Sequence, residues 1–376
     1  MGTLTQENID KHIPKLGFGL MRLPNLGTYD KIEIPQVINM VDYYMANGMN
    51  YFDTAYGYHS GMSEIAFKET VADRFPRESF MVADKFPVWA AETPADVERI
   101  FNEQLNKCGV EYFDFYLLHA LNGKNNDKNV QLGSYEFFKR MKAEGKIKHF
   151  GFSFHGTLDD LRNILANHPE HEFVQLQINY YDWYAREGKA VYDIAREFGK
   201  PIIIMEPILG GTLANLPPSI AKILTDANLN ASLASWAMRW CASLPGVITT
   251  LSGMSSIAQM EDNVSYIKDF TPLTTAEQET ITQVAKAMQE IEQIPCTACK
   301  YCKPCPMNIP IDDILAAYNK YLQTKTLQEF GKANTTLDAV KQSAASCIDC
   351  ELCIGLCPQN IQIPAKLAEV AAISAT

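Results

Sequence analysis

Asn50-Tyr51-Phe52-Asp53-Thr54-Ala55-Tyr56-Gly57-Tyr58 is a short apolar run that finishes in polar residues, and it follows a helical stretch, residues 35–47, closed by Gly48. The same unit recurs along the chain. Apolar runs at residues 15–20, 50–53, 80–85, 113–119, 149–153, 174–178, 201–206 and 247–252 alternate with amphipathic stretches such as 94–108, 158–166 and 189–198. Gly109 and Gly199 stand where helix C-termini favour a left-handed glycine. Strands buried on both faces, each followed by a helix, require right-handed crossovers and a parallel sheet. Eight such units close into an α/β (βα)8 barrel. An open doubly wound sheet is the alternative, but no Gly-x-Gly-x-x-Gly turn opens a strand–helix unit.

A last helix, residues 276–292, opens on the capping pair Thr275 and Gln278 and stops before Pro295. The division expected is therefore residues 1–285 as the barrel and 286–376 as a small, mainly α-helical domain. Residues 122–129 read as a polar loop. The length of 376 residues and the 47% hydrophobic content suit one large and one small core. A formal charge of −11, with no Lys/Arg cluster, argues against a nucleic-acid surface. No stretch approaches the ~18 apolar residues of a membrane span, and the first residues carry no leader-like apolar run, so a cytoplasmic protein is expected.

In a (βα)8 barrel the chemistry sits where the strands end. The runs finish in Asp53 and Tyr58, in Lys85, and in His119, which brings a carboxylate, a phenol, an ammonium and an imidazole to one mouth. Singly, each has a plain structural role: a helix cap, a solvated amine, a core histidine. Together they suit hydride delivery to a carbonyl, where the developing alkoxide needs a proton donor within about 3 Å and positive charge nearby. Tyr58 would donate the proton, Lys85 would favour its phenolate, Asp53 would hold Lys85, and His119 would orient the carbonyl. Trp89, Tyr180, Tyr181, Trp183 and Tyr184 are candidates for an apolar substrate pocket.

The C-terminal quarter carries two cysteine runs, Cys296-x2-Cys299-x2-Cys302-x2-Cys305-Pro306 and Cys347-x2-Cys350-x2-Cys353-x3-Cys357-Pro358, eight of the ten cysteines in the chain. A [4Fe–4S] cube takes three thiolates from one tight loop and a fourth from elsewhere, and the fourth cysteine is followed by proline. Zinc is the rival metal, but a third cysteine at the next x2 step and the Cys-Pro ending fit two cubes better. The first run is one residue short before Cys305. Cys108 and Cys241 lie on helical patterns and read as small core residues.

The cysteine repeat resembles a two-cluster ferredoxin domain of the α-helical type. In that family the fourth cysteine of each run crosses over. The resemblance therefore implies one cluster on Cys296, Cys299, Cys302 and Cys357 and another on Cys347, Cys350, Cys353 and Cys305. Residues 15–268 resemble the aldo-keto reductase superfamily, whose tetrad of Asp, Tyr, Lys and His spaces the first two as Asp53 and Tyr58 are spaced. That resemblance implies NADPH or NADH lying across the barrel mouth without a Rossmann fold. The turn containing Gly19, Met21 and Arg22 would lie against the cofactor, and Ser153 and Gln175 would bind its carboxamide. Where the family reads Ser-Asn-Phe this chain reads Ser153-Phe154-His155, which makes His155 a candidate further ligand or acid, and Met205 replaces the stacking Tyr. Around the adenosine end, Gly253, Ser255, Gln259 and Asn263 occupy the stretch where the family places cations on the 2′-phosphate, which leaves NADH against NADPH open.

The combination resembles the subgroup of aldo-keto reductases with a C-terminal ferredoxin domain. Nicotinamide moves electrons in pairs and each cube takes one, so a flavin, for which no motif is visible, or a redox protein partner is expected to complete any circuit. The leading expectation is a reductase of small-molecule carbonyls, an aldehyde or ketone, with two clusters appended. The rival is a nicotinamide-binding redox sensor or electron-transfer module with little carbonyl turnover of its own.

Overall fold

The computed structural model of the chain describes residues 4–303, 305–324 and 336–373. Eight strands, β1 (Leu16–Gly19), β2 (Tyr51–Asp53), β3 (Met81–Phe86), β4 (Phe113–Leu121), β5 (Ile147–Phe154), β6 (Phe173–Gln177), β7 (Ile202–Met205) and β8 (Val247–Ser252), pair in parallel in chain order. β1 closes on β8, with Phe18 opposite Ser252. Each strand overlaps one of the eight apolar runs, as expected for runs rich in β-branched and aromatic residues bounded by helices.

The barrel interior is filled rather than hollow. Tyr51, Ala83, Phe115, Leu117, Phe173, Ile203 and Ile248 pack into one buried cluster with Ile9 and Ile13, which flank and belong to the helix Gln6–His12. Tyr51 and Met81 start their strands, so this helix closes the N-terminal end. The opposite end, where the strands finish, is left for the site.

Two local readings are corrected. Residues 123–131 are helix rather than loop, because the Asn122 side chain accepts the Asn125 N–H at 2.9 Å and caps the first turn. The helix Thr275–Gln289 takes its capping box one residue earlier than the sequence suggested: Thr274 Oγ1 accepts from Glu277 N–H and Glu277 Oε2 from Thr274 N–H.

By packing, the described residues fall into two compact units, one within residues 4–207 and 230–281, the other within residues 208–229 and 282–373. In the second unit the helices Ile311–Thr324, Leu337–Ala345 and Ile363–Ala371 gather around Ile314, Leu315, Val340, Leu367 and Val370. Cys108 and Cys241 are buried in the first unit, as small core residues.

Candidate active site

β2 and β3 deliver the charged pair. Lys85 Nζ lies 2.5 Å from Asp53 Oδ1 and donates also to the Thr54 carbonyl at 2.7 Å. Asp53 Oδ2 accepts the Gln175 amide at 3.1 Å. Burial raises the Asp53 carboxyl, while the Lys85 ammonium and these hydrogen bonds oppose it. Gln175 spends its N–H on Asp53, and its Oε1 is buried without a partner among the described residues.

Tyr58 begins the tight turn Tyr58–Gly61 that follows β2. Lys85 Nζ sits 4.9 Å from its ring centroid, and its ring meets that of His119 edge-on at 6.0 Å. Burial, and then the charge of Asp53, push the phenol well above its usual value. The balance therefore differs from the sequence expectation: desolvation outweighs the ammonium and keeps Tyr58 protonated, the form a donor needs. His119 is kept neutral by burial and by the Lys85 charge. Its Nδ1 is buried without a partner among the described residues, and Trp89 covers its ring at 4.9 Å. His155, just beyond β5, is pushed down to about 4 by burial.

The remaining predicted residues sit at the same rim with unequal freedom. Gly19 ends β1 opposite Asp53, and Met21 and Arg22 follow in the turn Leu20–Arg22. Arg22 is ion-paired to Glu206 at 3.2 Å, and Ser255 Oγ donates to the Arg22 carbonyl at 2.7 Å. A Cβ on Gly253 would come 3.0 Å from the Arg22 side chain. Met205 is the last residue of β7. Ser153 accepts the Ala120 N–H at 2.8 Å, Gln259 accepts the Ser255 N–H at 2.7 Å, and Asn263 is turned inward onto Ser252 and Tyr266. Tyr180 and Trp183 pack edge-on against Trp240.

Sequence reading missed Thr54, Glu206 and His59. Neither Thr54's carbonyl nor Glu206 stood out, because each matters only through a partner far along the chain. His59 is buried at φ 52°, with Nδ1 2.6 Å from the Tyr29 carbonyl and Nε2 accepting the Leu23 N–H at 3.1 Å. It ties the β1 loop to the turn that carries Tyr58.

The thiols gather as two sets of four. Cys296, Cys299, Cys302 and Cys357 line one hollow with Ile311 and Leu315. Cys305, Cys347, Cys350 and Cys353 line a second, which Cys302 also lines. The backbone repeats as well: Ala298 and Asp349, Lys300 and Glu351, Asn308 and Asn360 are all left-handed. The last pair lies three residues after Cys305 and Cys357, with Asn308 and Asn360 N–H closing onto those cysteine carbonyls at 2.9 and 3.0 Å. The shortened spacing thus leaves Cys305 equivalent to Cys357. Burial pushes Cys296 up to about 11 and Cys302 up to about 12, so thiolates there need the charge of a bound metal. Four converging sulfurs with no intruding imidazole fit an iron–sulfur cube.

Residues 15–286 match the aldo/keto reductase family, and residues 295–362 match a 4Fe-4S dicluster domain. The chain belongs to the aldo/keto reductase family and carries a C-terminal 4Fe-4S dicluster domain. A probable aldo-keto reductase of Glycine max is 25% identical over 289 residues, covering 67% of this chain and 80% of its own. The L-galactose dehydrogenase of Arabidopsis thaliana is 22% identical, covering 66% and 82%. The holo form of an aldo-keto reductase from Bacillus halodurans superposes with a TM-score of 0.60 at 24% identity, covering 73% of this chain and 93% of that one. A Klebsiella pneumoniae aldo-keto reductase in complex with NADPH gives 0.58 at 18%, covering 73% and 91%. These likenesses establish the barrel fold. Among the described residues no helix is long and apolar enough to cross a membrane.

Proposed function

We propose that the barrel, residues 1–285, reduces an aldehyde or ketone with NADH or NADPH, and that residues 286–376 hold two [4Fe–4S] clusters in a cytoplasmic protein. The buried Lys85–Asp53–Gln175 chain beside Tyr58 and His119 carries the reading. The nicotinamide supplies the hydride. The two buried groups without partners, Gln175 Oε1 and His119 Nδ1, suit a carboxamide N–H and a ligand at the mouth. Neutral His119 orients the substrate carbonyl, Tyr58 gives its proton to the oxygen as charge develops, and the Lys85 ammonium stabilises the phenolate left behind. The two sets of four cysteines would hold the clusters, which would supply one-electron exchange with a redox protein partner or a report of the redox state of the cell.

Steady-state assay of Tyr58→Phe against a panel of carbonyls, with each nicotinamide, tests the barrel reading. Loss of about 10²-fold or more in kcat with nicotinamide binding retained is expected. Native turnover by the variant removes Tyr58 as the donor.

A further inference from the structure

Lys85 is gripped from both sides of the barrel wall. β2 stops at Asp53, opposite Ala83, and the Thr54 N–H makes a bond to the Ala83 carbonyl at 2.9 Å on that edge. Along a parallel strand the peptide groups of alternate residues face alternate neighbours. Those of Lys85, two residues past Ala83, therefore face the edge that β2 has left.

Two side chains stand in for the missing strand. Asp84 Oδ1 accepts the Lys85 N–H at 2.8 Å, and Gln104 Nε2, from the helix Pro94–Cys108, donates to the Lys85 carbonyl at 3.0 Å. The Tyr116 hydroxyl of β4 donates to Gln104 Oε1 at 2.5 Å, which fixes the end of the amide that faces Lys85. Asp84, Gln104 and Tyr116 are fully buried.

The charge behind this clamp is balanced. Glu64, Asp84 and Cys108 place their ligand atoms within 4.8 Å of one another, but the Lys107 ammonium already sits on Glu64, and the Cys108 thiol donates to Asp84 Oδ2 at 3.6 Å. Burial and the Glu64 carboxylate push Asp84 well above the usual carboxylate range. The Lys107 ammonium on Glu64 offsets carboxylate charge at this point.

We propose that Asp84 and Gln104 are positioning residues of the reduction, which replace the absent strand and so fix the point from which Lys85 reaches Asp53 and Tyr58. The inference rests on the barrel reading above. Full-length holoprotein and three variants test it. Gln104→Leu removes the donor to the Lys85 carbonyl. Tyr116→Phe removes only the hydroxyl that orients Gln104. Asp84→Asn keeps an acceptor for the Lys85 N–H and a donor toward Glu64.

Gln104→Leu should lower kcat about tenfold and shift the alkaline limb of its pH profile, with nicotinamide Kd within about twofold of native. Tyr116→Phe should lose about threefold in the same sense, and Asp84→Asn should keep about half of native kcat or more. Hydrogen exchange at the Lys85 amide should quicken in Gln104→Leu and stay native in Asp84→Asn. Folded Gln104→Leu and Tyr116→Phe with native kcat, pH profile and exchange would overturn the proposal, as would a kcat loss without faster exchange. If Gln104→Leu does not fold, Tyr116→Phe decides. If Tyr58→Phe proves fully active, the catalytic reading fails, and the amide exchange still decides the clamp.

Discussion

Lys85 and Asp53 form an ion pair 2.5 Å long whose side chains are only 2% and 4% exposed. A charge pair this dry is held more by what its loss would expose than by its own attraction. Asp53→Asn leaves the Lys85 ammonium buried without its counter-charge, and a cost of about 3–5 kcal/mol in unfolding free energy is expected. Replacing both residues, as Asp53→Leu with Lys85→Met, should recover most of that stability while leaving the protein inactive. Urea unfolding of the single and double variants checks it; a single variant as stable as native would mean that water reaches the pair.

Acid should destabilise the barrel before its exposed carboxylates protonate. His171 is fully buried with both ring nitrogens unpartnered among the described residues, and burial holds it, His119 and His155 below the ordinary histidine value. Once unfolded, these rings take protons below about pH 6.5. The unfolded state then binds more protons, so stability falls as pH drops from about 6.5 and levels for His155 only near its folded value of about 4. Unfolding midpoints between pH 7 and 5 should show the slope. His171→Phe, which keeps the ring contacts with Phe150 and Phe152, should make it shallower.

The two cysteine sets make opposite assignments for two serine variants. Cys357→Ser should empty the site of Cys296, Cys299 and Cys302, and Cys305→Ser that of Cys347, Cys350 and Cys353, each taking the protein from about eight irons to about four. Iron and acid-labile sulfide in anaerobic preparations read the count, and electron paramagnetic resonance of the reduced variants reads which cluster survives. Stoichiometric zinc in native protein would overturn the cluster assignment.

What could be read from the chain alone tracks how local its cause is. The barrel was legible because eight apolar runs, each tied to a helix, leave few ways to bury both faces. Asp53, Tyr58, Lys85 and His119 were legible because they finish those runs. The Asn122 cap was not, since a polar stretch reads as loop until one side chain is seen to accept the Asn125 N–H. The net effect on Tyr58 depends on burial and on carboxylates from β2, β3 and the end of β7, which no spacing reveals. The Arg22–Glu206 pair joins residues far apart in the chain, and only the closed barrel brings them together.

Gly210 offers a way to disturb one cluster site without touching a sulfur. It sits at φ 63°, and a Cβ there would fall 2.6 Å from the Thr297 Cα, in the loop between Cys296 and Cys299. Both the left-handed backbone and the contact with rigid main chain oppose any side chain. Gly210→Ala should therefore displace that loop at a cost of about 1–3 kcal/mol, which lowers iron retention at the site of Cys296, Cys299, Cys302 and Cys357 and spares the other. Iron release under a chelator, followed with the spectrum of each cluster, measures it. Equal loss from both sites would show that Gly210 supports the whole unit rather than this loop.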